Sequence, residues 1–129
     1  MTTPRWIAVP VARAVHDLLI ERTGGTPGIL SEGQLESTAA RPQQLFAHEA
    51  SKIHRLAACY AYGLVKNRCF IDGNRRTALS VLDIFLQLNG YRLSAYEIAA
   101  VTVMRAVAAD EMSEDKLSQW IEDNTVAVP

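Results

Sequence analysis

The sequence predicts an all-α fold in which five to six helices surround one buried central helix. Three observations predict it. Apolar residues recur at helical spacing in several segments of the chain. Residues 74–89 are apolar nearly all the way round, which is typical of a helix at the centre of a domain. Residues that favour helix starts precede several of these segments. With 129 residues, the chain fits one domain, 1–129.

The composition indicates a globular protein of the cytoplasm. The chain is 49% hydrophobic and 21% charged, and its net charge is −1, so we expect no direct nucleic-acid binding. Two cysteines, Cys59 and Cys69, suggest no disulfide framework, and a reducing compartment is predicted. The N-terminal residues lack a basic stretch followed by an apolar core, and no apolar run is long enough for a membrane span. We therefore expect neither a signal peptide nor a membrane segment.

The N-terminal quarter of the chain contains one helix between two less regular segments. "RWIAVP", residues 5–10, predicts a short strand ended by Pro10. Helical spacing of apolar residues predicts a helix over 10–22. "TGGTPGIL", residues 23–30, breaks this helix and predicts a flexible flap or hairpin.

Capping patterns and prolines define the next two helices. Ser31 and Gln34 form a capping-box pattern that opens a short helix, and Pro42 is expected to limit it. An apolar stripe then predicts a helix over 49–66, followed by a loop at 67–73.

Two further helices are predicted after the central one. Ser94 and Glu97 form another capping box, which predicts a helix that extends to about residue 109. Ser113, followed by two acidic residues, predicts the start of a last helix that extends to about residue 124.

The stretch "NRCFIDGNRRTA", residues 67–78, combines a turn with the start of the central helix. The amino end of a helix presents unpaired N–H groups and a partial positive charge, which together attract anions such as phosphate. Gly73, Asn74 and Arg75 are predicted to supply the N–H groups. Arg75 and Arg76 add guanidinium groups suited to phosphate oxygens. Asp72 would repel phosphate unless it holds Mg²⁺, an ion that binds carboxylates together with phosphate oxygens.

A purely structural explanation of the same stretch is also available. "DGN" is a common turn and helix-start sequence, and two arginines on a first helical turn are often only solvated. The local chemistry leaves both interpretations open.

A wider pattern favours the functional interpretation. "NRCFIDGNRRTAL" resembles the signature of the Fic/Doc family, His-x-Phe-x-Asp-Gly/Ala-Asn-Lys/Gly-Arg, which is matched in register by Phe70, Asp72, Gly73, Asn74 and Arg76. The segments "VHDLLIERTGGTPGI", "LESTAARPQQLF", "LVKN" and "FLQLNGYRL" resemble the Doc (death on curing) branch in the same order. The resemblance covers residues 10–124 and identifies the chain with the Doc toxins of type II toxin–antitoxin modules.

The resemblance implies a fold and an activity. The Fic fold is all-helical and places the motif loop at the head of its central helix. Most Fic enzymes transfer AMP to a hydroxyl group, whereas Doc toxins act as ATP-dependent kinases on elongation factor Tu and halt translation. By this resemblance Phe70 packs into the core and anchors the loop, and "GGTPGI" lies near the flap that positions the target.

The family motif also assigns roles to individual site residues. Asp72 would hold Mg²⁺, while Gly73 and Asn74 would form the anion hole. Arg75 and Arg76 would bind the phosphates of ATP. These ligands, ATP and Mg²⁺, are therefore expected from the resemblance.

Two departures from the motif bear on the chemistry. AMP-transferring members continue as Gly-Asn-Gly-Arg-x-x-Arg, but this chain has Arg75 in place of the middle glycine and Leu79 in place of the last arginine. That difference favours phosphoryl transfer over AMP transfer. Arg68 stands at the position of the catalytic histidine. Because a guanidinium has no proton-accepting atom and stays charged, Arg68 cannot act as the general base, and the chain is predicted to be inactive.

No other histidine is placed to restore the base. His16, His48 and His54 are the only histidines, and surface or packing roles are expected for them. The self-inhibitory motif of some Fic proteins, Ser/Thr-x-x-x-Glu-Gly/Asn, is only approached by Ser118 and Glu122, so a separate, Phd-like antitoxin is expected as inhibitor.

Three functions remain open on the sequence: an ATP-dependent phosphotransferase toxin disabled by Arg68, an inactive domain that binds nucleotide or antitoxin, and an AMP transferase. By the resemblance, the catalytic positions of the motif are Arg68, which replaces the family's histidine, Asp72 and Arg76.

Overall fold

The computed structural model describes residues 3–129, which form six helices and one two-stranded sheet. The elements in chain order are α1 (Val9–Thr23), α2 (Glu32–Glu49), α3 (Ile53–Lys66), α4 (Asn74–Leu88), β1 (Tyr91–Leu93), α5 (Glu97–Ala108), α6 (Glu114–Asp123) and β2 (Thr125–Ala127). The predicted all-α class is confirmed. Within the described part of the chain, no helix has the length and apolar character needed to cross a membrane.

Helices α3 and α4 share the centre of the domain. Helix α3 packs against α2, α4 and α6, and its buried residues run almost without interruption from Leu56 to Val65. Helix α4 buries six residues, of which Phe85, Leu82 and Leu86 are the largest, but its last residue, Leu88, is 42% exposed. Burial of each large apolar side chain contributes about 1.5–3 kcal/mol. The prediction of a buried α4 is confirmed, and α3 is buried even more completely.

The predicted strand at residues 5–10 is wrong. These residues run alongside the core, where the Ile7 N–H donates to Tyr60 Oη at 2.9 Å and the Arg5 N–H donates to Asn89 Oδ1 at 2.8 Å. Helix α1 already begins at Val9, with Pro10 in its first turn. A proline there loses no helical hydrogen bond, because the first N–H groups of a helix have no intrahelical acceptor.

The expectation that Pro42 limits the second helix is also wrong. Helix α2 continues through Pro42 to Glu49, and Ala50, in the left-handed conformation with φ 51°, ends it. Pro42 is buried together with Leu35 on the face that meets the core. Burial of this face outweighs the lost backbone hydrogen bond. As a result, α3 begins at Ile53, four residues later than predicted.

Two of the three predicted serine caps form, although the Ser31 N–H donates to Cys69 O at 3.2 Å and not to the Gln34 side chain. Ser31 accepts a hydrogen bond from the Gln34 N–H, and Ser113 accepts one from the Lys116 N–H, both at 3.2 Å. Ser94 does not cap α5, which begins at Glu97.

The Ser94 N–H instead donates to Asn124 O at 2.7 Å. This bond continues the antiparallel pairing of β1 with β2, in which Tyr91 lies opposite Ala127 and Leu93 opposite Thr125. The sheet was not predicted, because strands of three residues leave too little alternation in the sequence.

The flap, residues 24–30, is tied to the motif loop rather than folded into a hairpin. Ile29 and Phe70 form an isolated antiparallel bridge. The Leu30 N–H donates to Cys69 O at 2.8 Å, and the Ile71 N–H donates to Gly28 O at 3.1 Å. The flap and the loop therefore form one layer beside the head of α4.

Candidate functional site

The motif loop is a tight turn braced by the first residue of α4. The Asn74 side chain donates from Nδ2 to Phe70 O at 2.8 Å and accepts at Oδ1 from the Phe70 N–H at 3.0 Å. Gly73 precedes the helix with φ 77°, a left-handed conformation that glycine adopts without strain. Phe70 is completely buried, as the resemblance implied. The Asn74 amide group is occupied by the loop itself, so only its backbone N–H remains for a ligand.

Asp72 faces the flap with both carboxylate oxygens engaged. Oδ1 accepts from the Gly73 N–H at 2.8 Å, and Oδ2 accepts from the Thr26 N–H at 3.1 Å. These two N–H groups, with a smaller contribution from the positive charge of Arg76, lower the pKa of Asp72 below its ordinary value. A Cβ atom on Gly25 would lie 2.7 Å from Asp72 Oδ2, so glycine is needed for this close approach.

Within residues 3–129, the N–H groups without an acceptor at the head of α4 differ by one from the set predicted to bind an anion. The Gly73 N–H is bonded to Asp72 and is not free. The first helical hydrogen bond of α4 joins the Thr77 N–H to Gly73 O at 2.9 Å. The N–H groups of Asn74, Arg75 and Arg76 precede it and find no acceptor within residues 3–129. These three groups form the positive end of α4.

A cleft of about 590 Å³ opens beside this helix end, between the motif loop and α5. Five basic side chains and one acidic side chain, Asp72, line it in the described part of the chain. The basic residues are Lys66, Arg68, Arg75, Arg76 and Arg105, and the apolar residues are Val65, Ile71, Leu79, Val101, Met104 and Ala108. Since the whole chain has a net charge of −1, the positive charge is concentrated at this cleft.

Two of the five basic residues already have partners. Lys66 forms an ion pair with Asp110. Arg76 donates from Nη1 to Thr23 Oγ1 and, at 2.9 Å, to Gly24 O, so that its guanidinium binds the end of α1 and the flap. Arg76 was predicted to bind phosphates, but in this conformation it holds the flap.

The other three, Arg68, Arg75 and Arg105, form no ion pair with any carboxylate of residues 3–129. Arg68 is exposed and has φ 47°, a conformation that costs a non-glycine residue about 1–2 kcal/mol. Arg105, on α5, was missed by the sequence reasoning, because an arginine in the last turn of a helix gives no signal that it faces a distant loop. The structure places all three around the cleft.

His16 was expected to have only a packing or surface role, and the structure places it against the motif loop. Its Nε2 lies 2.7 Å from Asp72 O, and its ring stacks on Phe70 with centroids 3.9 Å apart and an angle of 8°. The side chain is completely enclosed. Its burial was predictable, because Ala12 and Ile20 occupy the same helical face four residues on either side. Its contact with the loop was not.

The donor set fits Mg²⁺ only together with phosphate. Residues 3–129 contain no cluster of three side chains that could bind a metal ion. Asp72 offers one carboxylate, and Mg²⁺ in nucleotide sites commonly binds one or two carboxylates, phosphate oxygens and water. Mg²⁺ and ATP accordingly stay predictions, with Asp72 as the protein ligand.

Comparison with known proteins gives one family match and two similar proteins. The family model "Fic/DOC family" matches residues 6–86. The "Protein kinase doc" of Escherichia phage P1 is 33% identical over 102 residues, which cover 78% of this chain and 81% of that protein. The "Toxin Doc" of Mycolicibacterium smegmatis is 30% identical over 99 residues, or 74% of this chain and 76% of that protein. The chain therefore belongs to the Fic/DOC family.

Proposed function

We propose that the protein is a Doc-type toxin whose site is built to transfer a phosphoryl group from ATP to a hydroxyl of elongation factor Tu in the cytoplasm, and so to inhibit translation. The observation that carries the proposal is the cleft at the head of α4. There, among residues 3–129, three N–H groups without an acceptor and three arginines without an ion pair surround a single carboxylate. The two similar proteins, named as a protein kinase and as a toxin, support the same class of activity.

Different residues of the cleft have different roles in the proposed binding of phosphate. The N–H groups of Asn74, Arg75 and Arg76 hold phosphate oxygens at the helix end, where the partial positive charge is largest. Arg75 and Arg105 donate forked hydrogen bonds to further oxygens and stabilise negative charge as the phosphoryl group moves. Asp72 would hold Mg²⁺, which would supply additional positive charge to stabilise the phosphates.

Among residues 3–129, the cleft presents no group suited to take the proton from the target hydroxyl. Arg68 has no accepting atom. Asp72 is the only lining carboxylate among residues 3–129, and its lowered pKa makes it a weak base. His16 is buried and its Nε2 faces Asp72 O. We therefore propose that this chain binds nucleotide and does not transfer phosphate at an appreciable rate.

The decisive experiment compares Arg68→His with Arg68→Ala. Both variants remove the guanidinium, but only histidine supplies a base with a near-neutral pKa. Incubated with elongation factor Tu and ATP labelled on the γ-phosphate, Arg68→His should label the target about 10²- to 10⁴-fold faster than the chain as written. Arg68→Ala should stay inactive, and only Arg68→His should arrest growth.

Other outcomes select other functions. Label transferred only from the α-phosphate would replace the kinase by an AMP transferase. Equal activity of the chain as written and Arg68→His would remove the argument for inactivation. The absence of the histidine base favours a second candidate, an inactive domain that binds nucleotide or antitoxin. That candidate is supported if Arg68→His binds ATP with Mg²⁺ in calorimetry and labels no target from either phosphate.

A separate, Phd-like antitoxin is proposed as the inhibitor. Helix α1 exposes Val11 (42%) and Leu18 (45%) seven residues apart, and the flap exposes Leu30 (60%). Apolar residues at this spacing suit an amphipathic helix of a partner. Hydrogen exchange with and without the antitoxin should show protection in residues 10–30. Protection confined to residues 113–124 would place the partner on a different face.

A further inference from the structure

We infer that His16 is the positioning residue of the motif loop, which fixes the peptide between Asp72 and Gly73 and, through it, the direction of the Asp72 carboxylate. The inference deepens the proposed function and rests on it where nucleotide binding is concerned. It starts from a side chain that lies in α1, far from the motif in sequence, and is 1% exposed.

The hydrogen bond has only one possible direction. Asp72 O is a carbonyl oxygen and can only accept, so His16 Nε2 carries the hydrogen and donates over 2.7 Å. Because the ring is enclosed, water does not compete for either group. Nδ1 lies on the other side of the ring, with Asp17 Oδ1 at 3.8 Å.

The His16 ring also contacts Phe70, the residue before Ile71, while its hydrogen bond holds Asp72, the residue after it. It lies parallel to Phe70 at 3.9 Å between centroids. Phe70 is in turn held by both side-chain hydrogen bonds of Asn74. Residues 70 and 72 are thus bound by a single side chain, while Ile71 between them points outward and is 46% exposed.

The peptide between Asp72 and Gly73 links the His16 hydrogen bond to the orientation of the Asp72 carboxylate. Asp72 C=O and Gly73 N–H belong to the same planar trans peptide and point in opposite directions. When His16 holds the C=O, the Gly73 N–H is directed to the other side, where it donates to Asp72 Oδ1 at 2.8 Å. Without the donor, glycine at position 73 would allow this peptide to rotate and would release the carboxylate that is proposed to hold Mg²⁺.

Two substitutions separate the donor from the packing. His16→Phe keeps an aromatic ring against Phe70 and removes the donor. His16→Gln removes the ring, and its side-chain amide carries an N–H that reaches about as far as Nε2. A positioning role predicts that the Kd for ATP with Mg²⁺ rises about tenfold or more in His16→Phe and stays within about threefold in His16→Gln. A packing role predicts the reverse order.

A readout without nucleotide keeps this test independent of the proposed function. Exchange of the Gly73 amide hydrogen should become faster in His16→Phe and remain slow in His16→Gln. If the unmodified protein binds no ATP, the proposed function fails, and only the exchange measurement then tests the positioning role of His16. Unchanged Gly73 protection in His16→Phe would overturn the inference.

The unmodified protein provides a third measurement, which does not depend on how well either variant folds. Nitrogen-15 NMR of the His16 ring should show hydrogen on Nε2, in slow exchange with water. A ring protonated only on Nδ1 would be unable to donate to Asp72 O and would overturn the inference directly.

Discussion

Two groups of arginines differ in whether they pair with a carboxylate of residues 3–129. Near the start of α6, Glu114 accepts hydrogen bonds from Arg41 Nη1 at 2.5 Å and Nη2 at 3.0 Å, and from Arg55 Nη1 at 2.5 Å. The Glu114 side chain is only 13% exposed, and its hydrogen bonds raise the pKa of Arg41. At the cleft, the second group has no carboxylate partner within the described residues and comprises Arg68, Arg75 and Arg105.

The difference separates arginines that join helices from arginines that are proposed to bind a ligand. Arg41 on α2 and Arg55 on α3 fasten α6 to the core through one shared acceptor. Unpaired like charges around the cleft repel one another and cost stability, which a bound polyanion would reverse. We therefore expect substitutions in the first group to change stability and those in the second to change ligand affinity.

The largest effect is expected from the unpaired group. Arg68→Gln combined with Arg75→Gln should raise the Kd for ATP with Mg²⁺ about 100-fold, since each charge-assisted contact contributes about tenfold. The free energy of unfolding should stay the same or rise slightly, because repulsion is relieved. Calorimetry and urea denaturation measure the two quantities. Arg92→Gln, at an exposed position on β1, is the control. An equal loss of ATP affinity in this variant would show that the overall charge of the protein matters, and not contacts within the cleft.

A smaller effect of the opposite kind is expected for the paired group. Glu114→Gln should lower the free energy of unfolding by about 2 kcal/mol, because two arginines lose a charged acceptor that is largely shielded from water. ATP affinity should change less than twofold. Urea denaturation would measure the loss, with Glu111→Gln, at an exposed position, as the matched control. If Glu114→Gln remains folded and loses ATP binding, the paired arginines also affect ligand affinity, which contradicts the distinction between the two groups.

The smallest effect concerns the acid side of the pH profile. The folded state lowers the pKa of Asp72 from 3.8, chiefly through the Thr26 and Gly73 N–H groups. A lowered folded pKa adds stability that is present above the unfolded pKa and is lost as pH falls through the folded value. Asp72→Asn should therefore be less stable than the unmodified protein near neutral pH, and the two should converge below about pH 3.8. A difference that is constant with pH would show that Asp72 acts without its charge.

Contiguous features of the site were accessible to sequence reasoning. The spacing from Phe70 to Arg76 predicted a turn and a helix start, and the structure places this stretch at the head of α4. The anion site predicted from the same residues stays a prediction. Partners from other elements were not accessible. Thr26, His16 and Arg105 reach the loop from the flap, α1 and α5, and no local pattern links them to it. For the same reason, the sequence did not predict that the Arg76 side chain donates to Thr23 and Gly24 in this conformation.

The sequence by itself determined the helical class, the buried α4 and the caps at Ser31 and Ser113, because each depends on spacing within a few residues or one turn of helix. Only the tertiary structure decided that α2 runs through Pro42 and that Arg5 and Ile7 bond to the side chains of Asn89 and Tyr60 instead of forming a strand. Those outcomes depend on burial against segments far away in the chain, and burial outweighs local preference. For the same reason, only packing decided which arginines of residues 3–129 pair with a carboxylate and which form no ion pair.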